Sequence, residues 1–268
     1  MSASSNAFIE NQSQKDLFIL RELVTKDFKL KYRRSVLGVV WSVLNPLLMM
    51  IVMSLVFSYF LRFADIPHYP LYLIVGNVTW AVFGDSTSAG VVSIIEASSL
   101  LKKVKVEKAV FPVERVLFSL VNLAFSLVAV LLVMVWEGVW PTPYLLLLPV
   151  CLALLMAFCI GVSLILSALA VFFRDVIHLW SVVLVAWSYL TPIFWPVSMI
   201  DQVPYAFMRV IMLANPMYNY VTFMRNIFIN GMLPDVKTVL MCVGWSAVTL
   251  LVGVLVFRRH ERKFILYI

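Results

Sequence analysis

Trp180, Trp187 and Phe194 recur every seven residues, which sets three aromatic rings nearly in line on one helix face, with Leu184 and Thr191 beside them. Such a face either packs against a neighbouring helix, with Trp180 and Trp195 marking the two membrane interfaces, or recognises something that passes it. Aromatic rings suit the C–H faces of pyranoses, whose hydroxyls stay wet. Trp187, Phe194, Trp180 and the nearby Tyr189 are therefore candidates for the wall of a sugar conduit. Asp85 is the clear acid inside an apolar run. An unpaired charge near a bilayer centre costs about 2.5–3.5 kcal/mol on insertion scales, so Asp85 has to face protein or water. Either it lines the conduit or it hydrogen-bonds at a helix end or between helices.

Other chemistry is missing. No glycine is followed by lysine, so there is no loop to cradle phosphates. The G-x-S-x-G, H-E-x-x-H and kinase signatures are absent, and Asp85 and Glu137 are too far apart for a paired acid/base site. Cys151, Cys159 and Cys242 lie inside apolar runs with no CxxC, and His68, His178 and His260 are well separated, so neither a disulfide framework nor a transition-metal cluster is expected. The reading is no enzyme, no catalytic or metal site and no cofactor in this chain. One intramembrane acid gives little support for ion-driven transport.

The elements that must position these residues follow from composition. The 268 residues are 63% hydrophobic and 13% charged, against about 45–50% and 25% in soluble domains. The chain reads as an all-α integral membrane protein. An apolar run of about 20 residues crosses a bilayer as a helix, and six qualify: about 36–61, 71–95, 116–136, 145–173, 176–195 and 238–257. Residues 1–35 are polar with charges of both signs, which excludes a cleavable signal peptide. Residues 258–268 form a tail. The net charge of +7 concerns the membrane and not nucleic acid, because Lys and Arg sort to one side. Seven lie between Lys15 and Arg34, five between 96 and 115, one is Arg174 and four lie between Arg258 and Lys263; only Arg62, Arg209, Arg225 and Lys237 remain. Seventeen against four predicts both termini in the cytoplasm, with 196–236 outside.

Two further segments read as structured. Leu17, Leu20, Val24 and Phe28 form a stripe among charged residues, predicting a helix over 15–34 that lies in the headgroup plane of membrane lipids or is solvated in the cytoplasm. In 196–236, the amphipathic pieces Val203–Leu213 and Tyr218–Ile229 are shorter than a span and flank Asn215-Pro216, which predicts an external re-entrant helical hairpin rather than a plain loop.

The order of motifs resembles a known family. Thr25-Lys-Asp-Phe-Lys-Leu-Lys-Tyr-Arg-Arg-Ser-Val-Leu-Gly38-Val-Val-Trp41-Ser-Val-Leu-Asn-Pro46, then Leu100-Leu-Lys-Lys103 with Phe111-Pro112, Phe173-Arg174-Asp175, Tyr189-Leu-Thr-Pro192-Ile-Phe-Trp-Pro196 and Asn215-Pro216 resemble ABC-2 type permeases that export polysaccharides such as O-antigen, capsule, teichoic acid and rhamnose-rich polymers. Glu107 departs from the proline frequent in such loops. The resemblance implies a homodimer in the bacterial plasma membrane, served by two ABC ATPase subunits that bind ATP and Mg. It implies a polymer on a polyprenyl diphosphate carrier passing along spans one, two and five. It makes Leu100, Leu101, Lys102 and Lys103 candidates for ATPase coupling within a 96–112 coupling segment, and Pro192, Pro196, Asn215 and Pro216 candidates for an external gate. The alternative is an ABC-2 permease for a small drug or lipid.

Overall fold

In lipid the backbone has no hydrogen-bond partner but itself, so long apolar runs satisfy every N–H and C=O by becoming helices. The computed structural model describes residues 2–33, 37–59, 66–104 and 106–268, and shows no strand among them. In chain order the helices are α1 (Ser2–Tyr32), α2 (Val40–Tyr59), α3 (Tyr69–Glu96), α4 (Ser98–Leu101), α5 (Val110–Trp136), α6 (Leu148–Phe172), α7 (Val176–Leu190), α8 (Ala206–Ala214), α9 (Pro216–Arg225), α10 (Val236–His260) and α11 (Phe264–Tyr267). Five of them, α2, α3, α5, α6 and α10, are long and apolar enough to cross a membrane. The ends expected for the first span, 36 and 61, and Arg62 with them, lie outside the described residues.

The expected span 176–195 differs. Helix α7 stops at Leu190, because Thr191 is extended (φ −100°, ψ 132°) ahead of Pro192, and a residue before proline is pushed out of the helical region. Fifteen residues reach about 22 Å at 1.5 Å per residue, less than the roughly 30 Å of a hydrocarbon core. The non-helical segment 191–195 continues along α3. Trp180 meets Thr87, Trp187 meets Phe83 and Pro192 meets Tyr72, an antiparallel run down one helix.

Helix α3 is the hub, with α2, α5, α6, α7 and α9 around it and Leu71, Ile74 and Phe83 fully buried. Helices α6 and α10 touch backbone to backbone. A Cβ on Gly161 would lie 2.3 Å from the Thr249 carbonyl carbon, and one on Gly253 would lie 2.4 Å from the Gly161 oxygen. At one end of the bundle the 97–109 loop, the 173–175 turn and the last turn of α10 with α11 gather Lys102, Lys103, Lys108, Arg174, Arg258, Arg259, Arg262 and Lys263; this is the basic end. Helix α1 docks beside it, where Arg115 pairs with Asp27 (2.6 Å), Glu96 (3.2 Å) and Glu114 (3.3 Å). Phe28 of the expected stripe stacks on Phe125 at 5.6 Å, whereas Leu17 stays exposed.

At the opposite end α8 and α9 form the expected pair of short helices. The Asn215 side chain accepts from Met217 N, and Pro216 occupies the first turn of α9, a helix start that needs no other cap. Helix α9 is buried among α3, α6 and α10, while α8 leaves Phe207, Val210 and Ile211 exposed.

Candidate functional site

The aromatic face of α7 turns inward. Trp180 Nε1 donates to Thr87 Oγ1 (3.1 Å) and Trp187 Nε1 to Asn215 Oδ1 (2.8 Å). Both rings meet Phe83 edge-on, at 6.1 and 5.1 Å, and Phe194 stacks on Phe57 at 5.5 Å. Of the two roles that face can have, the geometry supplies packing for Trp180, with its N–H satisfied inside the subunit. Trp187 packs against Phe83 and Trp180 and also borders a hollow of about 470 Å³ with Ile211, Pro216 and Trp245. The opposite face of α7, with Leu179, Val182, Val185 and Tyr189, is exposed.

Residues 191–196 are held by a polar clamp. Tyr69 donates its hydroxyl to the Phe194 carbonyl (2.8 Å) and Tyr72 to the Trp195 carbonyl (2.8 Å). Asn215 donates to Thr191 Oγ1 (2.9 Å) while its oxygen takes the Trp187 and Met217 N–H groups. Arg225, 5% exposed, donates to the carbonyls of Pro192 (2.7 Å), Ile193 (3.0 Å) and Tyr72 (3.2 Å) and lies 3.3 Å from the centre of the Tyr72 ring. Among the described residues it has no carboxylate partner. Burial pulls its guanidinium down to about 10, which leaves it cationic near neutrality. Gly76 makes room, because a Cβ there would come within 2.7 Å of Arg225 Nη2. Thus Pro192, Asn215 and Pro216 come together around one clamp, and Pro196 leads out of it into a 3-10 turn, Val197–Gln202. Arg225, Tyr69, Tyr72 and Gly76 are the members that sequence reasoning missed. The available signal was Arg225, a lone cation in the apolar run 218–229, which demands partners wherever it is buried.

Asp85 opens on a separate cleft of about 340 Å³ between the end of α1 and α2, α3 and α5. Asn77 and Asp85 are eight residues apart on α3, on one face about 12 Å long. Asn45, Asn122, Ser126 and Lys31 complete a polar lining, with Lys31 Nζ donating to Asn122 Oδ1 (2.9 Å). Asp85 makes no ion pair among the described residues.

At the basic end the four coupling candidates divide. Leu101 is 8% exposed, clustered with Phe111, Phe257 and Phe264, and Leu100 is half-buried against the same cluster; Lys102 and Lys103 are exposed. Only the lysines offer themselves fully to a partner.

Comparison with known proteins places the chain in a family. The family described as ABC-2 type transporter matches residues 20–229. The chain is similar to the O-antigen export system permease protein RfbA of Myxococcus xanthus, 34% identical over 247 residues that cover 92% of this chain and 94% of the relative. Two proteins of the same name from Klebsiella pneumoniae are 29% identical over 251 and 250 residues, with the same coverage. With helices of membrane-crossing length and a family match over most of its residues, the chain belongs to the ABC-2 type transporter family and is a multi-pass membrane protein.

Proposed function

We propose that the chain is the membrane subunit of an ATP-driven exporter that moves a lipid-linked polysaccharide of the O-antigen type across the bacterial plasma membrane. The observation that carries this reading is similarity along nearly the full length of O-antigen export permeases, 92% of this chain and 94% of the relative. With no phosphate-binding loop in the sequence, ATP and Mg bind to two separate ATPase subunits, and two copies of this chain enclose the path.

In this reading α7 with residues 191–195 is a sixth crossing, α8 and α9 form a re-entrant cap in the outer leaflet, and α1 lies in the inner headgroup plane with Leu17 and Phe18 toward lipid. The clamp around 191–196 works as the external gate: Tyr69, Tyr72 and Arg225 hold backbone oxygens and Asn215 holds the Thr191 hydroxyl, so the loop moves only when several charge-assisted or buried hydrogen bonds break together. Tyr189 and the Asp85–Asn77 cleft offer exposed aromatic and polar groups to a passing glycan, while Trp180 and Trp187 support the wall from behind.

Deletion of the gene tests the function. Surface polysaccharide should disappear, lipid-linked precursor should accumulate inside, and a plasmid copy should restore export. Unchanged surface glycan, with altered resistance to a small drug instead, overturns the polymer reading.

A further inference from the structure

At the basic end a hollow of about 590 Å³ opens between two segments far apart in sequence, the 101–108 loop and residues 261–265. They are fastened to each other. Phe264 is fully buried, 5.2 Å ring to ring from Phe257 in the cluster that holds Leu101 and Phe111. Lys108 Nζ donates to the Glu261 carbonyl and sits 5.9 Å over the Phe264 ring. The loop and the 261–267 segment are therefore joined by a buried ring and a hydrogen bond.

With Phe264 as anchor, its neighbours are driven outward: Ile265 is 51% exposed and Leu266 81%. Around the hollow Lys102, Lys103, Lys108 and Arg262 outnumber Glu107 and Glu261, and Val104 and Ile265 supply apolar surface. A concave recess with a cationic rim and apolar walls fits an inserted protein segment that presents an apolar residue flanked by acids. A lipid surface would instead favour a convex amphipathic face.

We propose that residues 261–266 form the second wall of the socket that receives the ATPase subunit, the first wall being the coupling loop, and that the inserted segment of the ATPase is acidic with an apolar tip. This rests on the proposed function above, and it adds a docking element outside the loop itself. The 261–266 wall fixes where the loop stands, so force from the ATPase reaches α10 as well as α3 and α5.

The test uses the full chain co-expressed with its ATPase, with all readings taken per mole of permease in the membrane. The variants are Ile265→Asp with Leu266→Asp, Arg262→Glu, and Lys102→Glu with Lys103→Glu as the loop reference; Ile265→Ser with Leu266→Ser replaces the aspartate pair if that pair does not accumulate. All these side chains are exposed. The expected result is a fall of about tenfold in ATPase recovered with the permease, equivalent to about 1.4 kcal/mol of docking, for the 261–266 variants as well as the loop reference, with surface polymer falling in parallel. Full recovery and export in the 261–266 variants, with loss in the loop reference, overturns the second wall and leaves the exporter reading standing. Full recovery in every variant overturns docking at this end altogether. Full recovery with lost export in the 261–266 variants assigns the segment to the lipid surface and overturns the socket.

Discussion

Removing a guanidinium buried among three carbonyl oxygens and a phenol ring strands acceptors as well as contacts. Arg225→Met should cost about 3–5 kcal/mol and lower the melting temperature of the detergent-purified protein. Gly76→Ala should act on the same bond network from the other side, since its methyl would displace Nη2. The double variant should cost less than the sum, by about 1 kcal/mol or more; strict additivity would mean that the two residues do not share the clamp. On α7, Trp187→Ala should reduce membrane accumulation by removing a packed ring, about 3 kcal/mol, whereas Trp187→Phe keeps the ring and forfeits the Asn215 bond at about 1 kcal/mol. Tyr189→Ala, on the exposed face, should accumulate normally and export less. Normal abundance of Trp187→Ala with lost export would return that residue to the conduit. The heptad of aromatics was legible in the sequence, and so was its ambiguity between packing and lining. Which way it turned depended on Phe83 and Asn215, partners about 100 residues before and 28 residues after Trp187, which no local spacing reveals.

Helices α6 and α10 owe their contact to two glycines, because only absent Cβ atoms let backbones meet at this distance. Gly161→Ala places a methyl against the Thr249 carbonyl, which cannot rotate away, and should destabilise by about 1–3 kcal/mol or by more if the helices must separate. Gly244→Ala, in the same α10 with nothing within 4 Å of its Cβ, should be neutral or stabilise by about 1 kcal/mol. Thermal unfolding of the two variants side by side checks the pair, and equal melting temperatures would remove the glycine crossing from the account. At this scale the spans were largely legible because hydropathy over 20 residues depends little on partners. The end of α7 was legible in principle from Thr191-Pro192, but continued hydrophobicity through Trp195 masked the break. The 97–109 segment was legible as a loop; that Leu101 faces the core and Lys102 faces out is a matter of one residue's rotation, decided by Phe257 and Phe264 from the far end of the chain.

For the molecule as a whole, sidedness is the property on which gate, conduit and docking surface all depend. Seventeen of twenty-one Lys and Arg residues belong to segments that the charge pattern predicts to be cytoplasmic, and the fold brings the 97–109 loop and the 258–268 tail to one end, in contact through Lys108 and Glu261. The two segments must then share a compartment, whichever it is. All three native cysteines are fully buried, so a membrane-impermeant maleimide meets little background and an introduced thiol reports cleanly. Leu233→Cys, exposed in the stretch between α9 and α10, should label in intact spheroplasts. Lys103→Cys and Leu266→Cys should label only after the membrane is opened. The reverse pattern would invert the topology and move the clamp around Arg225 to the cytoplasm. Labelling of Leu233→Cys and Leu266→Cys from the same side would break the single crossing of α10 and with it the six-crossing path, whereas separation of Lys103→Cys from Leu266→Cys would contradict the fold itself, since one end of the bundle cannot face two compartments.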